Sequence, residues 1–193
     1  MKKDIILGGV GGQGILSIAA IIGTAAVTKG LFMKQSEVHG MSQRGGDVMS
    51  NLRISDREIF SDLIPSGKAD IVIAVEPMEG LRYIHQLSPE GWLISNTKPF
   101  INIPNYPEVE KVLEEVDKVK HHVTLDADQI AKDLGNIKVA NVVMLGAACP
   151  FLGFEYVEFE NAIRLIFGKK GEELVNQNLT ALKAGWDIAQ KFL

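Results

Sequence analysis

A chain of 193 residues, 46% hydrophobic and 23% charged, is long enough to bury a sizeable core and short enough to form one domain, residues 1–193. Its net charge of −4, without a block of lysine or arginine, argues against nucleic acid or a membrane surface as partner. The lone cysteine, Cys149, excludes an internal disulfide and falls short of the thiolates an iron–sulfur cluster takes, which fits a reducing, cytoplasmic setting.

Met1-Lys2-Lys3-Asp4 leads straight into an apolar run too short for the core of a signal peptide, and no stretch of about 18 apolar residues offers a membrane span. Residues 3–7 read as a strand buried on both faces, because they are apolar without alternation. Gly8-Gly9-Val10-Gly11-Gly12-Gln13-Gly14 follows, then a small-residue helix from Ile15 to about Lys29, stopped by Gly30. Residues 31–35 predict a second strand, and residues 36–46 a long polar, glycine-punctuated loop of the kind that carries function. Residues 47–55 alternate and predict a strand, expected at a sheet edge, with residues 58–61 as a short continuation.

Residues 64–67 form a turn, and residues 70–75 a second buried strand ending in a ligand-style polar Glu76. Pro77 suits the first turn of a helix to about Leu87. Residues 92–96 are another buried strand, and residues 98–107, with three prolines, a non-helical excursion. An amphipathic helix over 108–119, a strand over 121–125 and a short helix capped by Asp126 come next. The remainder is helical: residues 140–152, nearly all apolar, then 157–167 and 172–192. Strands alternating with helices predict an α/β fold, a Rossmann-like open, mostly parallel sheet flanked by helices, with a helical C-terminal cluster.

Gly9, Gly11 and Gly14 satisfy G-x-G-x-x-G between a strand and a helix, the setting in which such a loop acquires a mechanism. Glycines let backbone N–H groups approach a ligand, and the opening helix adds free donors and the positive end of its dipole, so the loop suits an anion. A tight turn with no ligand is the alternative. In the 36–46 loop, Ser42, Gln43 and Arg44 with Gly45-Gly46 offer a guanidinium and backbone donors to a phosphate, at the carboxyl end of a neighbouring strand. Here the alternative is a surface loop whose Arg44 pairs with a carboxylate.

A stand-alone NAD(P)-dependent dehydrogenase needs an acidic residue about 20 positions past the glycines, and Glu37 keeps that reading open. No paired His or Lys base for hydride transfer follows it. Glu37 with His39 is a further candidate acid–base pair, and a non-enzymatic nucleotide-binding module is a third reading. No catalytic residue is assigned. His39, His85, His121 and His122 lack metal-ligand spacing, so no metal site is expected. Cys149 reads as packed and inert, and Asn141 as a polar group turned inward to hold a loop.

The Gly9–Gly14 segment, Ser36-Glu37-Val38-His39-Gly40-Met41-Ser42-Gln43-Arg44-Gly45-Gly46 and Leu52-Arg53-Ile54-Ser55 together resemble the gamma component of 2-oxoacid:ferredoxin oxidoreductases, most closely the indolepyruvate type. Gly67-Lys68-Ala69-Asp70, Gly135-Asn136, Asn141 and Leu145-Gly146-Ala147 agree, and the resemblance covers nearly the whole chain. It implies a subunit, inactive alone, of an enzyme that oxidatively decarboxylates a 2-oxo acid to an acyl-CoA and passes electrons to ferredoxin. Thiamine diphosphate, Mg and [4Fe-4S] clusters would sit on a large partner subunit, since G-D-G and the cluster cysteines are absent here. This chain would help bind coenzyme A and complete the interface. Gly9, Gly11, Gly12, Gln13 and Gly14, then Ser42, Gln43, Arg44 and Gly45, are the resulting candidates for coenzyme contact. Support of the partner's thiamine site is the alternative role for the same loops. The apolar segment at 140–154 and the C-terminal helix are candidate docking surfaces or plain core.

Overall fold

The computed structural model describes residues 1–40 and 45–193. Among them, six strands form one sheet: β1 (Lys2–Val10), β2 (Phe32–His39), β3 (Asp47–Ser55), β4 (Ala69–Ala74), β5 (Leu87–Asn96) and β6 (His122–Leu125), in the order β2-β3-β1-β4-β5-β6. Seven α-helices pack around it: α1 (Ile15–Thr28), α2 (Pro77–Tyr83), α3 (Val109–Asp117), α4 (Ala127–Asp133), α5 (Ala140–Leu152), α6 (Tyr156–Phe167) and α7 (Glu172–Ala189). The pairs β1–β4, β4–β5 and β5–β6 are parallel, whereas β1–β3 and β2–β3 are antiparallel. Three of five pairings are therefore parallel, and the antiparallel two both involve β3, the returning arm of the β2–β3 hairpin.

β1 is apolar throughout because both of its faces are covered. Ile5 and Leu7 join the larger core cluster, and Ile6 points to the other face, against Val72, Leu93, Tyr83 and Val116. The apolar α5 is the centre of the larger core. α7 lies on it so closely that a methyl group added at Gly185 would stand 1.9 Å from the carbonyl oxygen of Val143. One added at Gly146 would stand 2.1 Å from that of Leu182. Of the two readings of residues 140–154, the structure gives core: Leu145, Cys149 and Leu152 are fully buried. Burial in apolar surroundings pushes the Cys149 thiol well above its ordinary pKa, so it is the packed, inert residue expected.

Three expectations need correction. β2 extends through His39, so residues 36–39 belong to a strand and not to the loop; pairing with residues 48–51 of β3 supplies the backbone partners. β3 lies inside the sheet, and β2 is the edge. Residues 58–61 are irregular: their stretch is held by Arg53, whose guanidinium donates to the carbonyls of Ser61 and Leu63.

The amino-terminal end of the sheet is locked by a buried ion pair. Arg53 Nε donates to Asp4 Oδ1 at 2.7 Å, and the Asp4 amide donates to Asp70 Oδ2 at 2.7 Å. At the opposite end, the carboxyl ends of β1, β2, β4, β5 and β6 and the start of β3 converge. The chain leaves β1 for α1 and the β2–β3 hairpin on one side, and reaches β4 on the other. Between β1 and β4 lies the switch point of the topology, the place where open α/β sheets bind ligands.

Candidate functional site

The glycine turn stands at that end, and its geometry follows from its residues. Gly12 (φ 102°) and Gly14 (φ 81°) occupy left-handed backbone that disfavours any side chain. A methyl group at Gly14 would stand 2.5 Å from Asn141 Nδ2, because that amide donates to the Gly14 carbonyl at 3.1 Å. Asn141 thus holds a loop from inside, as its sequence position suggested. Gly9 serves packing: a methyl there would stand 2.2 Å from Val75 Cγ2. Gln13 braces the turn, since its Oε1 accepts from the Val10 amide at 2.7 Å and its Nε2 donates to the Val75 carbonyl at 3.4 Å. Its amide group is already engaged with the protein, which leaves little of it for a ligand.

The second cradle lies against the first. The Gly11 amide donates to the Gly46 carbonyl at 2.8 Å, and the Gly45 amide to the Gly11 carbonyl at 3.4 Å. Asn102, from the proline-rich excursion, donates to the Gly45 carbonyl. Ser42, Gln43 and Arg44 lie outside the described residues. Among the described residues, the amides of Gly12, Gly14, Ile15 and Leu16 have no backbone acceptor. Four donors at the positive end of the 14-residue α1 make a wall of free amides, a setting suited to an anion.

Two cavities flank this wall. One, about 370 Å³, is lined by Val10, Gly11, Gly12, Gly14, Ile15 and Leu16 on one side and by Glu37, His39 and Val48 of the hairpin on the other. The second, about 290 Å³, opens at the switch point and includes Gly12, Gln13, Ser17, Asn96, Asp128, Lys138 and Asn141. Asn96 organises the second cavity: its Nδ2 donates to the Val75 carbonyl and to Asp128 Oδ2, and its Oδ1 accepts from the amides of Lys98 and Ala127. The sequence reading missed Asn96, Asp128 and Lys138; a polar residue at the end of a buried strand, as in Trp92-Leu93-Ile94-Ser95-Asn96, was the available signal for the first.

Glu76, read as a ligand-style strand end, is instead spoken for. Its side chain is fully buried, accepts from the amides of Glu79 and Phe100 at 2.8 and 3.2 Å and from the Tyr106 hydroxyl, and so caps α2 and ties down the excursion. Burial, with the hydrogen bond to Glu76, pushes the Tyr106 hydroxyl far above its ordinary pKa. Glu37 and His39 share one face of β2, two residues apart, and both line the larger cavity; among the described residues no hydrogen bond joins them. Because β3 intervenes between β1 and β2, Glu37 sits two strand spacings, about 10 Å, from the β1 axis. That is one strand farther than a neighbouring second strand would place a ribose-binding acid. Among the described residues no group of three His, Cys, Asp or Glu side chains is arranged to hold a metal, and the one thiol is buried.

These features define a Rossmann-like α/β domain whose glycine turn presents free amides to a cleft shared between two loops. The chain matches the family of pyruvate ferredoxin/flavodoxin oxidoreductases over residues 4–188 and belongs to it. It is 39% identical to indolepyruvate oxidoreductase subunit IorB of Archaeoglobus fulgidus (98% of this chain, 96% of the relative). It is 35% identical to the IorB of Thermococcus kodakarensis (100% and 99%). Among solved structures, a 2-oxoglutarate:ferredoxin oxidoreductase from Magnetococcus marinus, determined with 2-oxoglutarate, coenzyme A and succinyl-CoA bound, aligns with a TM-score of 0.80 at 21% identity. All of this chain is covered, but only 32% of that polypeptide, so the chain corresponds to about a third of it. The gamma subunit of a keto/oxoacid ferredoxin oxidoreductase from Geobacter sulfurreducens aligns at 0.72 and 25% identity, over 98% and 99% of the two chains. The chain is thus a gamma-type subunit of a 2-oxoacid:ferredoxin oxidoreductase, and its enzymatic role is that of one component in a complex.

Proposed function

We propose that this chain is the small subunit of an indolepyruvate-type, or more broadly aryl-2-oxoacid, ferredoxin oxidoreductase located in the cytoplasm, and that its two adjoining backbone cradles wall the coenzyme A pocket. The observation that carries the reading is the junction of the Gly11–Leu16 turn with Gly45-Gly46. It presents free amide donors to cavities on both sides, and a coenzyme that carries a diphosphate and a 3′-phosphate suits such donors. Gly11, Gly12, Gly14 and Gly45 form the wall, Gly9 and Gln13 hold its shape, and Ser42, Gln43 and Arg44, outside the described residues, are candidates for phosphate contact by residue type.

The redox groups belong elsewhere in this reading. The large partner subunit then holds thiamine diphosphate, Mg and the [4Fe-4S] clusters and reduces ferredoxin, a division supported by the single thiol of this chain, too few for a cluster. In the complex this chain orients the acceptor of the acyl group and shields the reaction from water. The dehydrogenase alternative loses ground to the intervening β3 and to the family match.

Reconstitution tests the reading. The purified chain should show no 2-oxo acid oxidation, and mixing with the large subunit should produce coenzyme A-dependent oxidation. Turnover by the chain alone contradicts it. Arg44→Ala should raise the KM for coenzyme A in the complex; an unchanged KM with collapsed thiamine-dependent decarboxylation would instead favour a role for the loops in supporting the partner's thiamine site.

A further inference from the structure

The larger cavity contains a group that the phosphate argument does not use. Glu37 Oε2 is buried and has no hydrogen-bond partner among the described residues. No lysine, arginine or histidine among them pairs with this carboxylate, in contrast to Glu76, whose oxygens accept from three groups. A buried carboxylate oxygen without a donor is costly, and one with no donor among the described residues is open to a donor from a ligand in the cavity. The surrounding walls are apolar: Val10, Ile15, Leu16 and Val48. A phosphate beside the carboxylate would be repelled. The cavity is therefore electrostatically two-ended, with amide donors at the glycine turn and an acceptor on β2, about two strand spacings or 10 Å apart.

We propose that Glu37 is a binding residue for an uncharged, hydrogen-bond-donating group of the coenzyme, a hydroxyl or an N–H, held across the cavity from the glycine turn. This rests on the coenzyme A reading above. Coenzyme A offers such donors within reach of its diphosphate on both sides: the ribose hydroxyl and adenine amine of the adenosine half, and the hydroxyl and amides of the pantetheine half. Glu37 selects a ligand that pairs an anion with a neutral donor, and discriminates against one that brings a second anion to the β2 side.

The test uses the full chain in complex with its large subunit, and the isolated chain for melting. Glu37→Gln and Glu37→Ala should each raise the KM for coenzyme A about tenfold, as loss of a hydrogen bond to a charged group implies, with the KM for the 2-oxo acid following by less than twofold. The isolated variants should melt no lower than the wild type, because a carboxylate oxygen that is buried without a described partner has been removed, and the Tm rise on adding coenzyme A to the complex should shrink. Adenosine 3′,5′-bisphosphate and pantetheine, used as competitive inhibitors, identify the donor: the fragment whose inhibition weakens in Glu37→Ala carries it. A lower Tm with an unchanged KM for coenzyme A overturns the proposal, since it shows that the carboxylate is satisfied within the protein. Leu16→Trp separates this failure from failure of the coenzyme reading. Leu16 is exposed on α1 and lines the same cavity, so a larger ring there obstructs it without touching the core. If Leu16→Trp raises the KM for coenzyme A and Glu37→Ala does not, only the Glu37 assignment fails; if neither does, the cavity does not hold the coenzyme.

Discussion

At Gly14 a backbone angle and a side-chain contact meet at one atom. The left-handed φ of 81° and the 2.5 Å that would separate an added methyl from Asn141 Nδ2 leave no room for substitution. Gly14→Ala should cost about 1–2 kcal/mol from the backbone alone, read as a lower denaturation midpoint, and displacement of Asn141 should add to it. Tyr83 gives a second prediction. Burial foremost, then the carboxylates of Glu79 and Asp47, push its hydroxyl up to about 12 from an ordinary 10. A group whose folded pKa is raised stabilises the fold below its unfolded pKa and loses that contribution as pH climbs through the folded value. Stability should therefore fall between pH 10 and about 12, and Tyr83→Phe should flatten that part of the curve in pH-dependent melting.

Residue identities alone carried part of this. Asn141 was readable as a loop-holding group because an amide opening an apolar helix needs a partner. The opposite fates of Glu37 and Glu76 were not readable, since both are acids at strand ends. Only the fold shows that one is saturated by Glu79, Phe100 and Tyr106 and the other has no described partner. Gly9 and Gly11 are equivalent in the motif, yet one packs on Val75 and the other bonds to Gly46.

At the level of elements, periodicity located most helices and buried strands, because an apolar run or a helical stripe reports burial directly. The β2–β3 hairpin escaped it. β2 is an exposed edge strand with polar residues at 34–37, so its extent is set by pairing with β3 and not by its own composition. The consequence is functional, since the hairpin carries Glu37 and His39 into the cavity and returns Gly45-Gly46 to the glycine turn. The α5–α7 pair supplies the element-scale prediction. Its backbones approach through Gly146 and Gly185, and the 1.9 Å separation at Gly185 cannot be relieved by a side-chain rotation, because the obstacle is the Val143 carbonyl. Gly185→Ala should force the helices apart and cost about 3 kcal/mol or more, the upper end of overpacking, measured by chemical denaturation. A loss below about 0.5 kcal/mol, the range of an ordinary surface substitution, would show that the two helices slide freely.

At the level of the molecule, both faces of the central strands are covered and the carboxyl end of the sheet is left open, with cavities on either side of one turn. The buried Asp4–Arg53 pair fixes the far end of the sheet, which leaves the convergence of β1, β2, β4 and β5 as the place where loops are free to differ. Composition already indicated that this chain does not hold an iron–sulfur cluster by itself, because one thiol is too few to ligate it. The division of the cleft into two cavities was invisible in the sequence, since Asn96, Asp128 and Lys138 reach it from separate elements.

The central claim, that the two backbone cradles contact the coenzyme directly, is tested most directly by amide hydrogen exchange on the reconstituted complex. Adding coenzyme A should slow exchange at Gly12, Gly14, Ile15 and Leu16 and in the 37–46 segment, beyond any protection already conferred by the large subunit. Protection of these amides by the subunit alone, with no further change on adding saturating coenzyme A, would contradict the claim.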